Sequence, residues 1–344
     1  MIIEENKELT NLNTFGIAAM AAYFAEVTSE DDFRQLIQTE VYKQNPKLIL
    51  GGGSNLLFTG NFDGLVIKNS IKDITVVSES EHQVILKANA GEPWHGFVLY
   101  CIANNYAGIE NLSLIPGLVG AAPMQNIGAY GVEIKDVFHE LEALDMATGE
   151  SVVFSLNDCH FGYRESVFKH TLKNKYFITS VSFKLARLSS PTTQYRFKTD
   201  YGDIKHTLGE MQVYELNLKA VSDAVIKIRS SKLPDPKVLG NAGSFFKNPS
   251  VPQAKYEELV LTNPVMPSYP QKDGTVKIPA GWLIEQCGWK GRVVGNTGSH
   301  KSQALVLVNY GQATGNEVWA LALAIKQSVW DKFGIEINPE VNVV

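Results

Sequence analysis

The segment GNAGSFFKNP, residues 240–249, places one serine among glycines and aromatic residues. A serine that attacks a substrate needs an activating base and often stands in a G-x-S-x-G turn. Ser244 has neither within its own segment. A serine in a glycine-rich turn is usually structural, so a chemical role for Ser244 depends on the rest of the chain.

A short apolar run leads into three consecutive glycines in LILGGGSNLL. Gly51, Gly52 and Gly53 allow backbone N–H groups to converge and a bulky anion to approach, which favours a phosphate or pyrophosphate. A tight turn is an equally good interpretation of this loop by itself. The loop is neither a dinucleotide-binding nor a Walker loop, because G-x-G-x-x-G and a G-K-[ST] ending are both missing.

A second glycine-rich loop, IPGLVGAAPMQNIGAYG, occupies residues 115–131. It is rich in small residues and poor in charge, which suits backbone packed against a planar ligand with polar edges. A purely structural loop is the alternative for this segment alone. The two loops in one chain favour a large cofactor that carries phosphate.

Composition excludes several other classes of protein. The formal net charge of −5 argues against bulk attraction to nucleic acid or to an anionic membrane. No apolar run is long enough to span a membrane, and MIIEENKELT does not resemble a signal peptide. Cys101, Cys159 and Cys287 form no metal or redox motif, and the histidines lack metal-ligand spacing. We therefore expect reduced thiols, a cytoplasmic location and no metal site.

The elements that must position these loops follow from periodicity and capping signals. Strands are predicted at KLIL, DGLVIKN, QVILKANAG, KYFITSVSFKL and IEINPEVNVV, with a hairpin in HELEALDMATGESVVFS that turns at Thr148–Gly149. Helices are predicted at SEDDFRQLIQ with Ser29 as N-cap, EPWHGFVLYCIANN with Pro93 in first position, SDAVIKIRSSK, PAGWLIEQCGWKG and TGNEVWALALAIKQSVWDKFG, where Thr314 and Glu317 fit a capping box. The 344 residues predict two or three packed units.

A series of segments resembles one enzyme family along nearly the whole chain. In order they are NTFG, GGGSN, PGLVGAAPMQNIGAYG, GYRESVFK, LPDPKVLGNAGSFFKNP, AGWLIEQCGWKG, HKSQALVLVN and NPEV. Together they are similar to the UDP-N-acetylenolpyruvoylglucosamine reductase family, flavoproteins of peptidoglycan precursor synthesis. TDYGD and PSYPQ resemble the longer form of this family, in which a tyrosine loop covers the substrate.

The resemblance implies an α+β fold: an FAD-binding unit of the vanillyl-alcohol-oxidase type and a C-terminal mixed α+β substrate-binding domain. We expect FAD-binding subdomains at 1–66 and 67–220, the second joined by a terminal strand at 335–344, and a substrate-binding domain at 230–330. Related oxidases tether flavin through a histidine near the first phosphate loop. This chain has Ser54 at that place and no histidine, so we expect non-covalent FAD.

The implied activity is UDP-N-acetylmuramate dehydrogenase, which reduces an enol ether with NADPH through FAD and serves cell-wall synthesis, cell shape, cell cycle and division. Hydride goes to the terminal vinyl carbon, so negative charge develops beside the carboxylate and a proton is needed. The resemblance makes Ser244 the proton donor, which needs no base. It also assigns Arg164, in GYRES, to enolate stabilisation, and Glu340, in NPEV, to the same charge or the protonation step.

Further residues are assigned by the resemblance to ligand binding. Those expected to bind FAD are Gly51, Gly52, Gly53, Ser54, Asn55, Pro116, Gly117, Gly120, Ala121, Gln125, Asn126, Gly128, Ala129 and Tyr130. Those expected to bind the UDP-sugar are Tyr201, Lys232, Asn248, Tyr269, Lys277 and Gln303. We expect a monomer. Two alternatives remain at this point: an oxidase on the same scaffold that uses oxygen, and a nucleotide-sugar binding module without flavin.

Overall fold

The structure is a computed structural model that describes residues 1–190 and 192–344. In chain order its strands are β1 (Ile3–Glu8), β2 (Met20–Val27), β3 (Lys47–Leu50), β4 (Leu56–Leu57), β5 (Phe62–Asn69), β6 (Ile74–Glu79), β7 (Gln83–Asn89), β8 (Tyr106–Ala107), β9 (Gly128–Ala129), β10 (Val132–Glu133), β11 (Phe138–Asp145), β12 (Ser151–Ser155), β13 (Tyr176–Arg187), β14 (Gly240–Ser244), β15 (Ser250–Pro252), β16 (Tyr269–Pro270), β17 (Thr275–Lys277), β18 (Val293–Val294), β19 (Thr297–Ser299), β20 (Val306–Asn309) and β21 (Asn342–Val343). The α-helices are α1 (Glu30–Leu36), α2 (Glu40–Gln44), α3 (Trp94–Ala103), α4 (Ile204–Glu210), α5 (Leu218–Lys232), α6 (Gln253–Thr262), α7 (Ala280–Gln286) and α8 (Gly315–Phe333). Short 3₁₀ helices lie at Thr10–Leu12, Glu110–Leu112, Val119–Ala121, Pro123–Gln125, Ile134–Asp136 and Val167–Lys169.

Local capping chemistry sets several of these boundaries as the sequence predicts. The Ser29 side chain accepts a hydrogen bond from the backbone N–H of Asp32 and begins α1. Thr314 and Glu317 form the reciprocal capping box of α8, which ends at Gly334 with φ +61. The hairpin of β11 and β12 turns at Gly149, where φ is +75. Pro93 is the N-cap of α3 rather than its first helical residue, because its ψ of 125 is extended.

The chain divides into two compact units, and the larger comprises residues 1–7, 21–52 and 63–229. Its six-stranded sheet runs in the order β12-β11-β13-β7-β6, with β8 also paired to β13. The helix α3 covers this sheet through Trp94 and Phe97. The centroids of their rings lie 5.8 and 5.1 Å from the ring centroid of Phe183 in β13. A four-stranded sheet, β1-β2-β5-β3, carries the first glycine loop at the end of β3. The buried residues of these layers form the core of the unit.

The helices α4 and α5 form a smaller cluster of the larger unit. Ile204 and Leu208 of α4 pack with Val225 and Ile228 of α5, and Tyr130 of the second glycine loop packs against this cluster. The helix α5 therefore supports the end of that loop.

The smaller unit comprises residues 8–20, 53–62 and 230–344. It contains a four-stranded sheet, β14-β20-β19-β18, and a three-stranded sheet, β15-β17-β16. Trp282 of α7 packs on Phe333 of α8 with ring centroids 5.8 Å apart. Ser244 ends the edge strand β14, where its register partner is Val306 of β20.

The chain terminus is less regular than the sequence predicts. Only Asn342–Val343 of the expected closing strand is a β-strand, and it pairs in parallel with Leu56–Leu57. Proline 339 lacks the N–H that a continuous ladder requires, and it forms only an isolated bridge with Phe246. The division into 1–66, 67–220 and 230–330 stays a prediction. The terminal strand pairs with Leu56–Leu57, which lies in the first of these ranges and not in the second.

Candidate active site

The first glycine loop turns directly at the end of β3. Gly53 adopts φ +62, and a Cβ there would lie 2.0 Å from the carbonyl oxygen of Leu12, so only glycine fits. Within the described part of the chain, the backbone N–H groups of Gly52, Gly53 and Ser54 donate no hydrogen bond. Neighbouring donors without a protein acceptor are suited to an anion.

The second glycine loop meets the first. A Cβ on Gly52 would lie 3.0 Å from the Cα of Gly117, and one on Gly51 would contact Leu118 and Ala121 at 3.7 and 3.8 Å. The loop continues through two 3₁₀ turns, Val119–Ala121 and Pro123–Gln125. The structure therefore brings together two segments that are far apart in sequence, with backbone against backbone where Gly52 meets Gly117 and the side chains of Leu118 and Ala121 beside Gly51.

The middle of the second loop is held by protein contacts. Asn126 adopts φ +43 and is fully buried; its amide donates to the carboxylate of Glu133 and to the carbonyl of Gly162, both at 3.0 Å. A Cβ on Gly120 would lie 2.4 Å from that of Ala90, so this glycine allows close packing. Pro116 and Ala121 are exposed, whereas Gln125, Ala129 and Tyr130 are half-buried.

Arg164 belongs to the larger unit and contacts the second glycine loop. Its Nη2 donates to the carbonyl oxygen of Gly128 at 2.7 Å, and its guanidinium lies over the ring of Tyr163. Its backbone adopts φ +57, which is uncommon for a residue with a side chain. The strained backbone and the short hydrogen bond together aim a planar, permanently charged group at the loop.

Ser244 lies in an open turn of the smaller unit. Gly243 before it has φ +70, and a Cβ on Gly243 would meet nothing within 4 Å. Ser244 is half-buried, and within residues 1–190 and 192–344 its hydroxyl has no hydrogen-bond partner. Phe245 behind it is fully buried and anchors the turn. The hydroxyl is thus held in place by its backbone while remaining available to a ligand.

Glu340 is brought to the Ser244 turn by backbone pairing. Its N–H donates to the carbonyl of Phe245 at 2.8 Å, and Lys247 donates its N–H to the carbonyl of Asn338 at 2.9 Å. The amide of Asn55 donates to the carbonyl of Glu340 at 3.2 Å. These contacts place three of the residues named from the sequence, Ser244, Glu340 and Asn55, in one region of the smaller unit.

The residues expected to bind substrate are distributed over several elements. Tyr269 and Lys277 are direct cross-strand partners in β16 and β17. The side-chain oxygen of Asn248 accepts a hydrogen bond from Ala280 N–H at the start of α7, and that of Gln303 accepts from Leu305 N–H. Lys232 is the last residue of α5. Tyr201 belongs to the larger unit, is 59% exposed and lies against Gly131.

Comparison with known proteins finds relatives that match nearly the whole chain. The family described as the C-terminal domain of UDP-N-acetylenolpyruvoylglucosamine reductase matches residues 235–344, and an FAD binding domain matches residues 21–155. The UDP-N-acetylenolpyruvoylglucosamine reductase of Pseudomonas savastanoi pv. phaseolicola is 50% identical over 97% of both chains. The protein of that name from Flavobacterium johnsoniae is 47% identical over the full length of both. The chain belongs to the UDP-N-acetylenolpyruvoylglucosamine reductase family.

The fold agrees with that of a solved member of this reductase family. The crystal structure of the Thermus caldophilus reductase superposes with a TM-score of 0.66 at 21% identity, and the match covers 100% of this chain and 99% of that one. The expected α+β fold, an FAD-binding unit followed by a C-terminal reductase domain, is confirmed. The chain is an FAD-dependent oxidoreductase, which excludes the binding module without flavin.

The residues present in this reductase fit FAD. The N–H groups of Gly52 and Gly53 suit a phosphate, and Gly52 meets the backbone of Gly117, so no side chain stands between the two loops at that point. Among the described residues, no group of three or more His, Cys, Asp or Glu side chains is placed to hold a metal ion. None of the helices in the same ranges combines the length and the apolar composition that a membrane span requires.

Arg229 and Asn111, two polar residues of the larger unit, were not identified from the sequence. Burial is the main cause of a lowered pKa of Arg229; Tyr130 opposes this shift and Arg164 adds to it. In the described ranges Arg229 has no carboxylate partner. The sequence could have indicated that Arg229 is partly buried, because it lies four residues after Val225 and therefore beside the apolar face of α5. Asn111 is 1% exposed and donates to the carbonyls of both Tyr130 and Lys198, which links the second loop to the segment carrying Tyr201.

Proposed function

We propose that this reductase converts UDP-N-acetyl-3-O-(1-carboxyvinyl)glucosamine to UDP-N-acetylmuramate with NADPH, as a cytoplasmic monomer in peptidoglycan precursor synthesis. The names of its relatives support the substrate, because two relatives that are 50% and 47% identical over 97% and 100% of their length are named as reductases of this UDP-sugar. FAD, when bound and reduced by NADPH, would supply the hydride for the terminal vinyl carbon. The remaining task of the protein is to hold the carboxylate, stabilise the developing negative charge and deliver one proton to the adjacent carbon.

The observation that carries the proposal is the backbone pairing between residues 245–247 and 338–340. It sets the hydroxyl of Ser244, which has no hydrogen-bond partner among the residues that the structure describes, beside a segment carrying the carboxylate of Glu340. A serine hydroxyl is a weak acid, but the acceptor is a strongly basic enolate carbon, so proton transfer from Ser244 is downhill. A serine that donates a proton needs no histidine to activate it, which agrees with the absence of histidine from residues 240–249.

Arg164 is proposed to bind the carboxylate of the enol ether. Its Nη2 is oriented by Gly128, and the guanidinium offers parallel N–H donors for a carboxylate. Charge spreads into that carboxylate as hydride adds, so the contact strengthens between ground state and transition state. Glu340 is proposed to assist the same step, either by acting on the developing charge or by serving the proton donor.

Lys232 and Lys277 are proposed to contact the diphosphate of the UDP-sugar, with Tyr201 and Tyr269 closing over it and Asn248 and Gln303 contacting uridine or sugar. The pairing of Tyr269 with Lys277 supports this arrangement, because it presents a hydroxyl and an ammonium on neighbouring strands. Both groups suit phosphate oxygens.

Lys277→Ala is therefore expected to raise KM for the UDP-sugar by about 10- to 100-fold with little change in kcat, since a charge-assisted hydrogen bond to substrate is lost from ground state and transition state alike. Steady-state kinetics at varied UDP-sugar measures this. Lys272→Ala, on the exposed turn between β16 and β17, is the matched control and should behave as wild type. An unaltered KM in Lys277→Ala would remove this lysine from the diphosphate site.

Anaerobic spectroscopy tests the reaction as a whole. The flavin absorption bands are expected to bleach when NADPH is added to the pure protein and to return when the enol ether is added without air. Ping-pong kinetics should accompany this if both substrates use one site in turn. Rapid return of the bands with oxygen, combined with none on adding the enol ether, would identify the protein as an oxidase and refute the proposal.

A further inference from the structure

Leu114 forms a strained elbow immediately before the second glycine loop. Its φ of +58 lies in the left-handed region, which is unfavourable for a residue with a Cβ. Such a conformation persists only where surrounding contacts hold it. The backbone N–H and the backbone carbonyl of Leu114 each form a hydrogen bond with a side chain, and the two side chains come from different helices.

The first of these side chains is that of His95, near the start of α3. The N–H of Leu114 donates to the Nδ1 atom of His95 at 3.0 Å. The second is that of Arg229 on α5, whose Nε donates to the carbonyl oxygen of Leu114 at 3.3 Å. The two contacts hold the Leu114 peptide groups from opposite sides, and we refer to His95, Leu114 and Arg229 as the Leu114 clamp.

The segment that follows the Leu114 clamp is paired with the start of α3. Trp94 N–H donates to the carbonyl of Gly117 at 3.0 Å, Val119 N–H to that of Glu92 at 2.9 Å, and Gly120 N–H to that of Ala90 at 3.0 Å. The Leu114 elbow therefore sets the direction in which the chain enters this ladder. It thereby sets where Gly117 meets Gly52.

We propose that His95 and Arg229 are positioning residues for FAD: they hold the Leu114 elbow so that the second glycine loop keeps its FAD-binding shape, and the clamp requires a neutral His95. The inference rests on FAD binding and not on the roles given to Ser244, Arg164 or Glu340. Failure of those assignments would leave it unaffected.

The requirement for neutral His95 follows from the geometry. A backbone N–H can only donate, so Nδ1 of His95 must carry a lone pair, and a proton on that atom would break the contact. Burial, and then the positive charge of Arg229, lowers the pKa of His95 below its ordinary 6.5. Because the neutral form is favoured in the folded protein, the clamp is complete above pH 6.5 and is lost as pH falls through the lowered pKa.

The test is the dissociation constant of FAD, measured from flavin fluorescence quenching by apoprotein between about pH 5 and pH 8. His95→Ala is expected to weaken FAD binding by about 5- to 30-fold at neutral pH, the effect of one lost hydrogen bond to a half-buried donor. His95→Asn keeps an acceptor at the position of Nδ1 and is expected to bind FAD within about threefold of wild type.

The pH dependence separates the clamp from a general loss of stability. As pH falls through the lowered His95 pKa, wild-type affinity is expected to decrease toward that of His95→Ala, by about 5- to 30-fold in total, whereas the affinity of His95→Asn should be flat over that interval. His139→Ala, at an exposed position of β11, is the matched histidine control and should keep the wild-type profile. The proposal is overturned if His95→Ala binds FAD like wild type, or if His95→Asn retains the wild-type slope. If His95→Ala fails to fold, the comparison of wild type with His95→Asn still decides.

Discussion

Ser244→Ala is expected to leave reduction of the flavin by NADPH nearly intact and to slow its reoxidation by the enol ether by about 10²- to 10⁴-fold, the effect of removing a positioned acid. NADPH delivers only hydride, so the first half-reaction needs no proton from Ser244. The second half-reaction needs one at the carbon beside the carboxylate. Stopped-flow absorbance of the two half-reactions, each without air, measures the two rates separately.

The structure argues that this variant will fold. Ser244 is half-buried, and in the described part of the chain its hydroxyl bonds to no protein group, so alanine removes no internal hydrogen bond. Ser250→Ala, at an exposed position of β15, provides a matched control. Equal reoxidation rates in Ser244→Ala and wild type would show that the proton comes from another group.

Arg164→Lys is expected to lower kcat and kcat/KM together by about 10²- to 10³-fold, as when a transition-state donor is removed. An ammonium cannot make the paired contact to a carboxylate while also reaching the carbonyl of Gly128 as Nη2 does. The charge is conserved, so the experiment isolates the geometry of the guanidinium. Steady-state kinetics with the enol ether, together with the flavin spectrum as a check on cofactor content, measures the effect.

Arg196→Lys is the appropriate control for this substitution. Its side chain is 89% exposed and pairs with Asp200 on the surface of the same unit. Wild-type kinetics in Arg196→Lys and an equally active Arg164→Lys would together exclude a direct contact between Arg164 and the substrate.

Local features of the fold were predictable where one short segment contains the whole physical cause. The capping box at Thr314 and Glu317, the N-cap at Ser29 and the turn at Gly149 each depend on neighbouring residues. The closing strand was predicted too long. Ile335 and Ile337 are buried, but Pro339 interrupts the pairing, and the partner strand, Leu56–Leu57, has only two residues.

The candidate site was predictable only in part. The two glycine loops were identifiable because a loop that must accept a bulky, phosphate-bearing ligand needs small residues in succession. Ser244, Arg164 and Glu340 could be named only through resemblance to the family. Isolated serines, arginines and glutamates are common in structural roles.

The amino-acid sequence by itself determined the family, the cofactor class and the positions of the two loops, since each depends on residue types within continuous segments. Only the tertiary structure decided that Gly52 meets Gly117, that Glu340 pairs beside Ser244, and that His95 and Arg229 hold Leu114. These contacts join residues far apart in the chain. They depend on backbone hydrogen bonds and on one left-handed leucine, features that residue identity leaves open until the chain has packed.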